Sequence, residues 1–151
     1  MRHSRRALMC AFIMIVALLG PVAVTSPAQA LTEGEKSKVI KIAKSLKGTP
    51  YRYGGTGPKG GFDCAGYTQY VFKKAKAGNL KRTADAQARQ GKAVKRDDKR
   101  RGDLVAFYRG GKIYHIGIYH GKQKIWHAPS SGKSVKLERI WTGDYKVRRI
   151  R

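Results

Sequence analysis

A chain of 151 residues with 33 Lys and Arg against nine Asp and Glu carries a formal charge of +24. The length suits one compact domain and leaves little room for a second, and the charge draws the protein to polyanions over a range set by the Debye length. Two cysteines are too few for a disulfide scaffold, and without a cysteine pair or a His-x-x-x-His spacing no structural zinc site is expected.

Residues 1–30 read as a secretory signal peptide. Arg2, Arg5 and Arg6 form a positive start, and Ala7 to Gly20 is an apolar run of 14 residues without a charge. The stretch after Pro21 ends Ala28-Gln29-Ala30, the small-x-small pattern of a cleavage site. The apolar run is short for a membrane span, and Cys10 lies early in it, away from the exit where a lipoprotein anchor would sit. Cleavage after Ala30 leaves residues 31–151 with one thiol, Cys64, and no intramolecular disulfide. Those residues keep all nine acidic and 30 of the basic side chains, for a charge of +21.

Thr32-Glu33-Gly34-Glu35 is a capping box. Val39, Ile42, Ala43 and Leu46 follow it at helical spacing on one face, and Gly48 and Pro50 end that helix. Between Tyr51 and Gly61, five glycines lie among aromatics, the composition of a loop that lines a cleft. A second helix is predicted from Cys64 to about Ala77, with Tyr67, Val71 and Ala75 inward and Gly78-Asn79 as its stop. A short third helix runs from a Thr83 cap towards Gly91, and Lys92 to Arg101 reads as a charge-rich surface connection. From Asp103 the pattern changes to strands: Leu104 to Tyr108, Ile113 to Tyr119, Lys124 to Ala128, Val135 to Arg139 and Tyr145 to Ile150. Arg109-Gly110-Gly111-Lys112 and Gly121-Lys122 supply turns between them. Helices first and an antiparallel meander afterwards give an α+β fold, N-terminal helices on a sheet of five or six strands.

The chemistry converges on Cys64. An unpaired thiol in an exported protein calls for an explanation, and this one follows Gly60-Gly61-Phe62-Asp63 at the start of a helix, whose positive end favours a thiolate. A neutral imidazole activates such a cysteine for attack on a carbonyl, and a third polar group holds that imidazole in the right tautomer. His115 and His127 fall on neighbouring strands. They share a face only if the connection between those strands is odd or a bulge restores parity. A three-residue loop, His120 to Lys122, would set His115 directly opposite His127, with His120 as a solvated turn residue. Taken alone, each histidine reads as an ordinary half-buried strand residue and Tyr51 as a packing residue. Asp63 reads as a helix-start carboxylate accepting backbone hydrogen bonds.

Six motifs occur in order: Pro50-Tyr51-Arg52-Tyr53-Gly54-Gly55, Gly61-Phe62-Asp63-Cys64-Ala65-Gly66-Tyr67, Arg82-Thr83 with Gln87, Gly102-Asp103-Leu104-Val105, His115-Ile116-Gly117-Ile118-Tyr119, and Trp126-His127-Ala128. From about Lys38 to Ile140 the chain closely resembles the NlpC-type cell-wall peptidases, papain-like cysteine hydrolases with a helix-then-sheet core. The resemblance implies Cys64 as nucleophile, His115 as general base and His127 as the residue that orients it. It further implies the Tyr51 hydroxyl as an oxyanion donor beside the Cys64 backbone N–H, and Asp63 as a ligand of the substrate's free amine. Ala65 stands where the family usually has a serine, Tyr53 replaces a usual tryptophan, and Arg100-Arg101 replaces a hydrophobic residue and proline.

The resulting expectation is a secreted, wall-associated, monomeric peptidoglycan endopeptidase, residues 31–151 forming one catalytic domain. It would cut the stem peptide between D-glutamate and the diamino acid, without metal or organic cofactor. Its charge would hold it on anionic wall polymers, with no nucleic-acid partner and no membrane insertion once the signal is removed. The alternatives are a cationic wall- or nucleic-acid-binding protein without catalysis, and a cell-wall amidase or antibacterial toxin.

Overall fold

The computed structural model describes residues 29–151, so the predicted signal peptide, apart from Gln29 and Ala30, and Cys10 lie outside the described residues. Among the described residues no helix is long and apolar enough to cross a membrane. The capping box forms as expected. Glu35 N–H donates to Thr32 Oγ1 at 3.2 Å, Thr32 N–H donates to Glu35 Oε2 at 2.7 Å, and α1 (Glu33–Ser45) begins there. Its buried stripe is Val39, Ile40 and Ala43, while Ile42 and Leu46 are only half-buried, a turn of the helix relative to the predicted face. The rotation follows from what α1 packs on, since the buried Tyr67 hydroxyl donates to Ala43 O at 2.9 Å and ties α1 to the second helix.

A small hairpin, β1 (Thr56–Gly57) with β2 (Gly61–Phe62), leads into α2 (Cys64–Ala75). This helix ends two residues before the predicted Ala77. Lys76, not a glycine, takes the left-handed conformation at φ 55°, and its N–H closes the last turn on Phe72 and Lys73 carbonyls. The short α3 (Ala84–Gln87) starts on Thr83, whose hydroxyl accepts from Ala86 N–H as predicted. Lys92 to Arg101 is not a plain connection: it holds β3 (Lys92–Val94) and a 3₁₀ turn, Arg96–Asp98. The charge-rich composition hid a strand because β3 pairs only along one side, with Ala93 opposite Arg148, leaving lysines free to face water.

The remaining strands are β4 (Leu104–Arg109), β5 (Lys112–Gly121), β6 (Lys124–His127), β7 (Lys136–Arg139) and β8 (Tyr145–Arg149). With β3 they form a six-stranded antiparallel sheet in the order β3-β8-β4-β5-β6-β7, which is the expected α+β layout. Gly110 and Gly111, at φ 54° and 76°, turn β4 into β5 with the left-handed geometry that suits strand twist. The next turn uses Lys122 and Gln123, φ 51° and 55°, in place of the predicted Gly121-Lys122.

Strand alternation gives the sheet two apolar faces. Leu104, Ala106, Ile116, Ile118 and Trp126 pack under the helices with Val39, Tyr67, Val71 and Phe72, all of them buried. Val105, Phe107, Tyr119, Ile125, Tyr145 and Val147 form a second cluster. Asp103, 2% exposed, is held by a bidentate Arg149 at 2.9 and 2.7 Å and accepts Arg100 N–H, which locks β8 to the entry of β4. The Gly102-Asp103-Leu104 motif is therefore a structural junction.

Candidate active site

Close glycine packing places the thiol. A Cβ on Gly66 would run into the Gly55 carbonyl oxygen, so only glycine lets the loop of residues 51–61 lie against the first turn of α2. Asp63 N–H donates to that same Gly55 carbonyl at 3.0 Å. Asp63 is the N-cap, its Oδ1 accepting from Gly66 N–H at 2.6 Å, and it also takes both arms of Arg82, at 3.0 and 2.6 Å. Arg82 had no role in the sequence reading beyond its place in a motif. It is carried by the buried Gln87, which donates to Ala65 O and Lys81 O and accepts from the Thr68 hydroxyl at 2.6 Å.

Cys64 is thus the first residue of α2, half-buried and against the helix-side core. Its thiol meets the backbone N–H groups of Ile116, Ala65 and Cys64 itself, which favour the thiolate, but burial outweighs them and the Asp63 carboxylate adds to it. The thiol is pushed above its ordinary range. The helix start favours the thiolate as expected, and burial is the larger effect. Tyr51, also half-buried, has its phenol raised by burial and then by the negative charge that Cys64 and Asp63 can carry. Tyr51, Tyr53, Asp63, Cys64, Arg82 and Tyr114 border a cleft of about 420 Å³.

The histidines depend on two irregularities in β5. Phe107 pairs with His115 and Tyr108 with Ile113, so Tyr114 bulges out, 44% exposed. At the far end Tyr119 pairs with Ile125 and Gly121 with Lys124, so His120 is a second bulge. That bulge restores the parity the two-residue turn would otherwise break. It does so in a different register from the three-residue loop: Ile118 pairs with Trp126, which sets His127 across from Gly117 and diagonal to His115. A Cβ at Gly117 would sit 3.2 Å from His127 Cβ and 2.9 Å from Ile125 Cδ1, so glycine leaves the space that the His127 ring crosses. His120 is not a solvated turn residue. It is partly buried and accepts Trp126 Nε1–H at 3.3 Å.

His115 Nε2 and His127 Nδ1 are 2.8 Å apart, and His127 Nε2 lies 3.0 Å from Glu138 Oε2. His115 and His127 are 6% and 1% exposed. Burial, and then the facing positive charge of His127, lowers His115 to about 3. Burial lowers His127 to about 4 although Glu138 pulls the other way. Both rings are therefore neutral at ordinary pH. Trp141 covers them, its ring stacked on Phe107 at 4.2 Å and its indole N–H donating to the Tyr114 hydroxyl at 3.4 Å. A second cleft of about 400 Å³ opens here, lined by Tyr114, His115, His127, Glu138 and Trp141 among others. Tyr114 borders both clefts.

The structure thus brings His115 and His127 into direct contact and sets Tyr51 and Asp63 beside Cys64. Among the described residues, no hydrogen bond joins the Cys64 thiol to either ring. The thiol approaches β5 from the helix side and touches the Ile116 N–H, one residue along from His115. His115 Nδ1 has no hydrogen-bond partner and is not sealed from solvent. Glu138, Tyr114 and Trp141 escaped the sequence reading. Glu138 sits opposite Ile125 and Lys136 opposite His127, so the contact depends on a β6–β7 register that the intervening loop conceals. Among the described residues no three His, Cys, Asp or Glu groups converge on a point a metal ion could occupy.

Residues 48–150 match the NlpC/P60 family. A Bacillus subtilis protein named γ-D-glutamyl-L-lysine dipeptidyl-peptidase is 39% identical over 70% of this chain and 36% of its own length. An Escherichia coli K12 protein named murein DD-endopeptidase MepS/murein LD-carboxypeptidase is 38% identical over 76% of this chain and 63% of its own. The chain spans between about a third and two thirds of these relatives. Among solved structures, the NlpC/P60 domain of the peptidoglycan hydrolase SagA superposes with a TM-score of 0.68 at 28% identity, covering 77% of this chain and 97% of that one. A Bacillus cereus NlpC/P60 protein gives 0.72 at 27% identity, over 82% of this chain and 41% of that one. By this match across two thirds of its length, the chain belongs to the NlpC/P60 family.

Proposed function

We propose that this protein is a secreted cysteine endopeptidase of peptidoglycan, directed outward by residues 1–30 and cutting the stem peptide between the γ-carboxyl of D-glutamate and the diamino acid. The observation that carries the reading is the neutral His115–His127 pair, with His115 Nδ1 unpartnered, on the strand whose Ile116 N–H meets the Cys64 thiol. Ligand-free enzymes often hold catalytic hydrogen bonds long or unmade until substrate enters.

In the proposed reaction, His115 Nδ1 takes the Cys64 proton as sulfur attacks the carbonyl carbon. The C–S bond forms, and the oxyanion is stabilised by the Cys64 N–H and the Tyr51 hydroxyl. Collapse breaks the C–N bond, and His115 returns the proton to the leaving amine. Water, deprotonated by the same ring, then cleaves the thioester and restores the thiol. The two clefts meeting at Tyr114 give the substrate room on both sides of the scissile bond.

The relatives' names divide over the bond: γ-D-glutamyl-L-lysine in one and DD-endopeptidase in others. The Asp63 carboxylate is already paired by Arg82, and Ala65, 3% exposed, brings no hydroxyl beside it. That favours an internal cut over one that requires a free N-terminal amine. The charge of the chain would hold the monomer on anionic wall polymers, without nucleic acid or membrane insertion. Digestion of purified peptidoglycan by wild type and Cys64→Ala, with fragments identified by mass, tests both levels. Cys64→Ala is expected to lose on the order of 10³-fold or more in release. Equal release by both proteins would refute the cysteine mechanism, and D-Ala–diamino acid ends would refute the proposed bond.

A further inference from the structure

We infer that Glu138 is a positioning residue that fixes the proton arrangement of both histidines, so that His115 Nδ1 carries the basic lone pair. The inference rests on the peptidase reading for its purpose, but its geometry stands alone. An ionised carboxylate only accepts hydrogen bonds, so the 3.0 Å contact to Glu138 Oε2 puts a proton on His127 Nε2. In a neutral ring the other nitrogen is then a lone pair, and His127 Nδ1 must accept at 2.8 Å from His115 Nε2–H. Of the four ring nitrogens of the pair, His115 Nδ1 is left as the free basic one.

Without Glu138 nothing selects this state. A His127 ring protonated on Nδ1 would donate to His115 Nε2, forcing the His115 proton onto Nδ1 and removing the lone pair that must receive the thiol proton. A histidine as orienting residue, unlike a carboxylate, can both donate and accept, so it needs a partner of its own. Lys136 Nζ holds the second Glu138 oxygen at 3.0 Å, which keeps the carboxylate ionised and aimed. Lys136 and Lys133 also face His127 with positive charge and oppose its protonation, whereas Glu138 favours it. The buried ring thus stays neutral while its tautomer is set from outside.

The contact was invisible in the chain because Glu138 lies diagonal to His127 across the β6–β7 ladder and is 11 residues away in sequence. Its side chain is 40% exposed, so substitution leaves the core intact.

Nitrogen-resolved NMR of ¹⁵N-histidine in substrate-free Cys64→Ala protein reads the tautomers without any peptidase activity. The expected result is protonated Nε2 with lone-pair Nδ1 on both rings. Glu138→Ala should mix or reverse the forms, and Glu138→Gln, whose amide oxygen can accept the same proton, should retain them. With Cys64 present, Glu138→Ala is expected to lower kcat about 10- to 100-fold with KM little changed, and Glu138→Gln to recover most of the loss. Unchanged tautomers in Glu138→Ala would overturn the inference, as would a Gln variant as impaired as the Ala variant. If the wild type proves inactive on peptidoglycan, the NMR result still decides the role of Glu138, and only the peptidase reading fails.

Discussion

The two sides of the site are built in opposite ways. On the thiol side the helix start is set by near neighbours in sequence and braced by one short segment further along. Asp63 caps the helix that Cys64 begins, Gly66 lies three residues on, and Arg82 and Gln87 close the far side within one short helix and its lead-in. On the histidine side nothing is local. His115 and His127 meet only because Tyr114 and His120 bulge, Gly117 leaves room and β7 brings Glu138 alongside. Local capping fixes a residue robustly but offers it little electrostatic tuning. Strand register is more easily disturbed, yet it buries two imidazoles completely enough to keep them neutral.

That contrast predicts how each side breaks. Gly66→Ala should give the largest effect, because its methyl meets backbone at Gly55 and the loop must move. A loss of about 2–4 kcal/mol in denaturant unfolding is expected, and an unchanged midpoint would show that the close packing is not needed. Gly117→Ala should be milder in stability, about 1–2 kcal/mol. It should be specific in function, because the added methyl pushes against His127 Cβ and a misplacement near 1 Å costs about 10²-fold in kcat. Activity kept intact in that variant would contradict the diagonal approach of the two rings.

The neutral rings also set an acid limit on folding. Both histidines have folded values, about 3 and about 4, below the 6.5 of an unfolded imidazole. Between those limits the unfolded chain binds more protons, so stability is complete above pH 6.5 and falls as pH drops towards 4. Each ring contributes at most about 1.4 kcal/mol per pH unit to the slope. Urea midpoints across that window should slope less in His115→Gln than in wild type. Parallel slopes would mean that His115 is solvated in the native state.

Much of this was legible in the chain, and the failures share a cause. The capping box, the Thr83 cap, the strands from Leu104 onward and the parity condition on His115 and His127 follow from periodicity and capping chemistry, which are local. The bulge at His120 met that condition in a register the turn residues did not announce, because Lys122 and Gln123 adopt left-handed φ without glycine. The strand β3 was masked by its lysines, and Glu138 by a pairing that eight loop residues, 128–135, leave free to slide in sequence terms. The burial of the thiol is hidden for another reason. A helix start is visible in sequence, but the depth of burial that outweighs it is set by the packing of the helix-side core.

In the proposed mechanism Cys64 rests as a thiol, His115 as a neutral imidazole, and the proton moves only during attack. Following the ultraviolet absorbance of the thiolate against pH, in wild type and in His115→Ala, tests it directly. Thiolate is expected to appear only above the ordinary thiol range in the wild type, with no step at neutral pH for the substitution to remove. A thiolate plateau at neutral pH that vanishes in His115→Ala would show a resting ion pair and contradict it.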